Sequence, residues 1–237
     1  MPVYLLRKLE NFVELSLPDR ERVWRLVDMD ARELKPHQDL VRTGEPARFV
    51  HVLLDGWALR YVDIEDGRRQ ILGVLLPGDV CDLSSFILKR LDHSIAACTA
   101  ARFARIPAEV FMQNLAESPN LDRAFRWAAL VEEAVARAWI SNVGQRSAIE
   151  RLAHLFVELF LRLDSIGLVN GKTCEFPLTQ EQLADAVGMT NVHVNRSLME
   201  LRAAGLIVLN SRTLTIPDIA ALRSAALFDD IYLHLER

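Results

Sequence analysis

The sequence predicts an α+β chain: an antiparallel β-roll in its first half, one long helix after it, and two short helices closed by a hairpin. Three observations carry this. Apolar and alternating runs at 49–54, 57–64 and 68–76 are punctuated by Asp55-Gly56 and Asp66-Gly67, dipeptides that turn antiparallel strands. From Leu121 to Asn142, apolar and small residues recur at alternating steps of three and four, the spacing of a helical seam. The stretch 177–207, PLTQEQLADAVGMTNVHVNRSLMELRAAGLI, divides at Gly188 into two short amphipathic helices.

Bulk properties bound the rest. At 237 residues, 51% hydrophobic and 25% charged, the chain suits two compact domains rather than a disordered or fibrous protein. The expected division is 1–120 for the roll with a helical lead-in, 121–144 for the long helix and hinge, 145–217 for the helix pair and hairpin, and 218–237 for a helical tail. No apolar run approaches the roughly 18 residues of a membrane span, and the start MPVYLLRKLENF lacks the apolar stretch of a signal peptide. A cytoplasmic location is therefore expected, with no membrane partner. Cys81, Cys98 and Cys174 are far apart and form no C-x-x-C, which points to buried free thiols, with Cys81 kept as a redox candidate. The six histidines are scattered without paired spacing and no nucleophile motif occurs, so neither catalysis nor a bound metal or other cofactor is expected.

Taken in order, 5–27 reads as a helical lead-in broken near Ser16-Leu17-Pro18, with Ser16 or Asp19 able to cap the second helix. Strands at 93–99 and 102–106 follow the three already given, and many short strands at regular spacing suggest a small barrel or jelly roll. The seam Leu121, Ala124, Ala128, Val131, Val135, Ala138 and Asn142 predicts a helix that pairs with its own copy. Phe125, Trp127 and Trp139 give that helix a second apolar face, so packing on its own roll is the competing reading. Gly144 marks a break, and Gly167, Asn170 and Gly171 end the next helix in a loop.

Thr179 with Gln182 forms a capping box, Gly188 ends that helix, and Thr190 caps the next, whose Val194, Leu198 and Leu201 pack back on the first. At 100° per residue the opposite face centres on Val192, Arg196 and Met199, flanked by His193 and Asn195. Such a face suits DNA: arginine bonds guanine bidentately, asparagine bonds adenine, and an aliphatic group touches a thymine methyl. Apolar runs on either side of Asn210-Ser211-Arg212 then make a hairpin, the layout of a winged helix-turn-helix. The candidate DNA-contacting set is Thr190, Asn191, Val192, His193, Asn195, Arg196 and Arg212. Net charge is −4, and residues 145–237 carry nine Lys/Arg against eleven Asp/Glu, which argues against strong non-specific binding. Between Thr190 and Thr213, however, Arg196, Arg202 and Arg212 face Glu200 alone, so positive charge is concentrated at the expected contact.

LTQEQLADAVGMTNVHVNRSLMELRAAGLI resembles the helix-turn-helix of the Crp/Fnr family of bacterial transcription regulators. RTGEPARFVHVLLDGWALRY, DGRRQILGVLLPGD and ARIP resemble phrases of that family's cyclic-nucleotide-binding fold. The resemblance implies a homodimer on palindromic double-stranded DNA, joined by the long helix, with RNA polymerase as a further partner. Its effector pocket would fall at Leu83, Ser84, His93 and Ser94. Where cyclic-AMP-binding members carry Gly-Glu after the P-G-D turn, this chain has Asp82-Leu83, and where they carry Arg-Ser it has His93-Ser94. Both charge-assisted anchors are thus missing, and no cyclic-AMP response is expected. No cysteines cluster near the start as in iron–sulfur members, and Leu83 stands where haem members have a histidine. Two alternatives remain at this stage: a constitutive DNA-binding factor without effector, and a nucleotide-binding or adaptor module whose last hairpin docks protein.

Overall fold

The computed structural model describes residues 3–83 and 87–235. The chain clusters into two compact units, Met1–Val62 with Gly73–Glu133, and Asp63–Leu72 with Ala134–Leu235. Among the described residues no helix is long and apolar enough to cross a membrane.

The first unit opens with helices α1 (Val3–Glu10) and α2 (Leu17–Asp28). The second starts at the expected cap, with Ser16 accepting from the Asp19 amide and Asp19 answering on the Ser16 amide. Strands β1 (Ala31–Leu34), β2 (Asp39–Val41), β3 (Phe49–Asp55), β4 (Ala58–Asp63), β5 (Arg69–Leu75), β6 (Ser94–Ala97) and β7 (Ala101–Pro107) follow. They form two antiparallel sheets in the orders β1-β7-β3 and β2-β6-β4-β5. The Asp66-Gly67 turn joins neighbouring strands β4 and β5, as expected of a hairpin. Asp55-Gly56 does not: it carries the chain from one sheet to the other. Gly56 has φ +83, and a Cβ there would lie 2.3 Å from the Ala100 carbonyl oxygen, so the crossing accepts glycine alone.

Strand β3 shows how the layers are divided. Val50, Val52 and Leu54 face a core shared with Leu5, Leu9, Leu26 and Phe111, where α3 (Ala108–Ala116) contributes the last of these. Leu53 faces the other way, into the roll with Phe103, Ile95 and Cys81. A strand covered on both faces loses the alternation of a half-exposed one, and FVHVLL is accordingly apolar at almost every position.

Helix α4 runs Pro119–Gln145. It passes through Gly144, so the expected break falls two residues later, at Arg146 and Ser147. A glycine is cheaply accommodated in a final helical turn, whereas Ser147 forms a capping box with Glu150 that starts α5 (Ala148–Ser165). The seam also needs correction at its first two positions and its last, where Asn142 is buried and donates to the Arg151 carbonyl. Leu121 and Ala124 are fully buried in the chain's own core beside Phe125 and are not offered to a second copy. Ala128, Val131, Val135 and Ala138 are half-buried. Apolar spacing reports which residues share a face, not which neighbour covers it.

In the second unit α5 is buried along most of Leu152–Leu163 and serves as the post on which the rest is mounted. The loop expected after it is instead a hairpin, β8 (Val169–Asn170) and β9 (Thr173–Glu175). Two- and three-residue strands are too short to show a period. Then come α6 (Gln180–Val187), α7 (Asn191–Ala203), β10 (Val208–Asn210), β11 (Thr213–Thr215) and α8 (Ile219–Ala225), ending in a 3-10 turn, Ile231–Leu233. The four strands make one sheet in the order β10-β11-β9-β8. Residues 63–72 also belong to this unit, where the Gln70 amide donates to the Asp185 carbonyl (2.7 Å).

Candidate nucleic-acid interface

The helix pair is set by its caps. Thr179 accepts from the Gln182 amide (3.1 Å), and Gln182 reaches back to the Thr179 amide (2.9 Å). Gly188 stops α6 in the left-handed conformation, φ 64 and ψ 45, with its amide on the Ala184 carbonyl. Thr190 then caps α7 by accepting from the His193 amide (3.3 Å). Two short helices joined through one left-handed residue must cross, and Val194, Leu198 and Leu201, all at 1% exposure or less, hold the crossing closed.

The opposite face of α7 is open. Val192 is 76% exposed and Met199 62%, and the Arg196 side chain is 80% exposed. A surface valine and methionine are unusual on a solvated helix, where no burial repays their hydration. Asn195 donates to Gln180 on α6 (3.3 Å), which keeps its amide on the same side. Arg196 lies on Glu200 one turn along (Nε to Oε1, 3.0 Å). An exposed pair of this kind is worth at most about 1 kcal/mol, so the guanidinium can leave it for a better acceptor. Together with Asn191, these side chains border one shallow open depression. Thr190, Asn191 and His193 are exposed at the helix N-terminus, where backbone N–H groups and the helix dipole attract anions. Gln180 is the residue that sequence reasoning missed, because its place beside Asn195 comes from the crossing of two helices.

Arg212 sits at the tip of the β10–β11 hairpin, outside the α7 cluster. Ser211 (φ 43) and Arg212 (φ 71) are both left-handed, the geometry of a type I′ turn, whose twist matches a two-residue hairpin. Neither residue is glycine or asparagine, and a left-handed L-residue costs on the order of 1 kcal/mol. Pairing of Leu214 with Cys174 and of Thr213 with Glu175 ties this wing to β9.

Of the four residues assigned to an effector pocket, three are described, and each is engaged locally. Leu83 is buried in the helix-side core with Leu5 and Phe111, not in the roll interior. His93 is held by Asp92 (Nδ1 to Oδ1, 2.7 Å). Ser94 accepts from the Thr43 amide (3.0 Å). Ser84 lies outside the described residues. What does lie inside is Arg60, an arginine at an inward position of β4. It pairs with Glu132 of α4 and donates to the Cys81 carbonyl (2.5 Å). Burial opposes its charge, but Glu132 outweighs that and raises its pKa. The inward phase of WALRYVDI was the signal for it. His51 and Asp82 form a second buried pair, Nδ1 to Oδ2 at 2.7 Å. Cys81, the redox candidate, is fully buried, and burial together with Asp82 drives its thiol well above the usual range, which disfavours the thiolate that redox chemistry uses.

A β-roll, a long helix and a helix pair with an open reading face and a wing define a DNA-binding regulator of two domains. A model of the cyclic nucleotide-binding domain matches residues 31–118, and one of the Crp-like helix-turn-helix domain matches residues 150–225. The transcriptional activator protein FnrL of Cereibacter sphaeroides is 30% identical over 202 residues, covering 82% of this chain and 79% of that protein. The transcriptional activatory protein AadR of Rhodopseudomonas palustris is 32% identical over 203 residues, covering 83% and 80%. The chain belongs to the Crp/Fnr family of transcription regulators. Its fold is that of FixK2 from Bradyrhizobium japonicum, with a TM-score of 0.75 at 21% identity over 83% of this chain and 96% of that one.

Proposed function

We propose that the chain acts in the cytoplasm as a homodimer that binds a two-fold symmetric DNA site, recruits or contacts RNA polymerase there, and does so without cyclic AMP. The observation that carries this reading is the face of α7, where Val192, Arg196 and Met199 stand open opposite a fully buried Val194–Leu198–Leu201 side. Arg196 takes a guanine, Val192 packs against a thymine methyl, and Asn195 hydrogen-bonds a base edge. Thr190, Asn191 and His193 approach phosphate at the helix start, and Arg212 does so from the wing. Two such helices read half-sites about one DNA turn apart.

Independence from cyclic AMP rests on position 83, where an aliphatic side chain stands in the core, and on position 93, where an imidazole bonded to Asp92 replaces a guanidinium. The test is selection of duplexes from a randomised library, followed by titration at several salt concentrations. A palindromic consensus bound by the wild type, with affinity falling as salt rises, is the expected result. Arg196→Ala should cost about 1–3 kcal/mol and relax one base pair of each half-site. Enrichment of no sequence would refute the reading and favour a protein-docking module.

A further inference from the structure

The segment after the wing is pinned. Leu222, Phe228 and Leu233 are buried, the Tyr232 hydroxyl donates to the buried carboxylate of Glu158 (2.9 Å), and Arg146 donates to the Ala226 and Leu227 carbonyls (3.2 and 3.3 Å). Yet Ile231, inside this anchored segment, is 73% exposed. Its exposure does not come from a loose end. Ile231 and Tyr232 border an open groove of about 330 Å³ whose other wall is Ala134, Arg137, Ala138 and Ser141 of α4. Ala134, Ala138 and Ser141 follow at steps of four and three, continuing the stripe of Val131, and their small side chains let another helix come close. Residues 226–235, which form this wall of the groove, lie outside the 150–225 match to the Crp-like helix-turn-helix domain.

We propose that this anchored tail is part of the interface between two copies of the chain, with Ile231 packing on the second copy's α4 beside the Ala134–Ala138 groove. The proposal rests on the homodimer reading. It commits to a second copy because the groove continues the half-buried α4 stripe of Val131 and Ala138, and a two-fold axis along α4 brings each groove opposite itself, so one surface satisfies both chains. With Leu121 and Ala124 consumed by the chain's own core, the α4 contact is shortened at its start. The tail then supplies apolar contact at the other end.

Sedimentation equilibrium on the full chain tests it, with helicity and tryptophan fluorescence checked to match the wild type. Ile231→Asp should raise the dimer Kd by about tenfold or more, because it sets an unpaired carboxylate against an apolar contact. Ile231→Ala should raise it less, and it serves if the aspartate variant fails to fold. Leu227→Asp, on the same tail, 67% exposed and not on the groove, should leave it within about twofold. If the wild type is a dimer, Val131→Glu is a monomer and both Ile231 variants keep the wild-type Kd, the tail proposal is overturned while the dimer reading stands. A wild type that is monomeric at all concentrations overturns both.

Discussion

His154 should make the second unit acid-sensitive in a calculable way. Its ring is 1% exposed, stacked on Tyr232 with centroids 5.9 Å apart and packed 4.8 Å from Phe228. Burial, with a smaller contribution from Arg146, lowers its pKa from 6.5 to about 3. The folded chain therefore resists a proton that the unfolded chain accepts below about pH 6.5, so stability is intact above that value and falls as pH drops. One pKa unit is worth about 1.4 kcal/mol, which puts the loss between pH 7 and pH 5 at about 2 kcal/mol and the limit below pH 3 at about 5 kcal/mol. Glu158 acts with the opposite sign, because burial raises its pKa despite Arg162, Trp139 and Tyr232, and the folded state then holds its proton more readily. Comparison with a non-titrating variant separates the two. Urea unfolding of wild type and His154→Gln at one protein concentration, at pH 7, 6 and 5, should give curves that converge by about 2 kcal/mol over that range. Parallel pH profiles would refute the assignment.

In base selection at one salt concentration, Val192→Glu should move the preference at its position toward cytosine, whose N4 amine a carboxylate accepts, and leave the Arg196 guanine unchanged. Identical preferences at every position would show that Val192 does not read DNA. Gly56→Ala should destabilise by more than about 2 kcal/mol, combining a left-handed residue with a backbone clash. Gly67→Ala, with φ +85 and nothing within 4 Å of its Cβ, should cost only about 1 kcal/mol, and equal melting points for the two variants would sink the clash argument. Millimolar cyclic AMP should leave the melting temperature and operator affinity unchanged, since any ligand of the native state alone raises both its population and its melting point. A saturable upward shift would contradict this.

Where local chemistry decides structure, the chain was legible. Ser16 with Asp19, Thr179 with Gln182, Gly188 and Thr190 are visible as caps because each acts on a backbone group within four residues of itself. Strand β1, ALA-ARG-GLU-LEU, buries only its last residue and has no alternation to read. Helix α3 begins at Ala108, after a Pro107 that offers no side-chain cap, so its start carries no capping signal. The open face of α7 was legible for a related reason: one helix carries both its buried and its open side. Misplacement of Leu83, Leu121 and Ala124 has a common origin, since which core receives an apolar residue depends on elements far away in sequence. Arg60 with Glu132 is the same case for charge, a pair 72 positions apart in sequence.

The sheet that carries the wing has a consequence for how binding preference can change. Its strands β8 and β9 precede the helix pair and β10 and β11 follow it, so residues 176–207 are an excursion that leaves and re-enters one small platform. The exit is sealed by the Phe176 amide on the Arg212 carbonyl (2.7 Å), and the Thr173 and Thr215 hydroxyls meet at 2.9 Å. Departure from β9 and return on β10 are two strand spacings apart, on the order of 10 Å. A cassette with such closely spaced ends can be exchanged between related chains as long as its buried face still fits α5, to which Arg151 ties it through the Val187 carbonyl. If α7 contacts DNA as proposed, grafting this one insert changes the preferred site while β-roll, long helix and tail stay as they are.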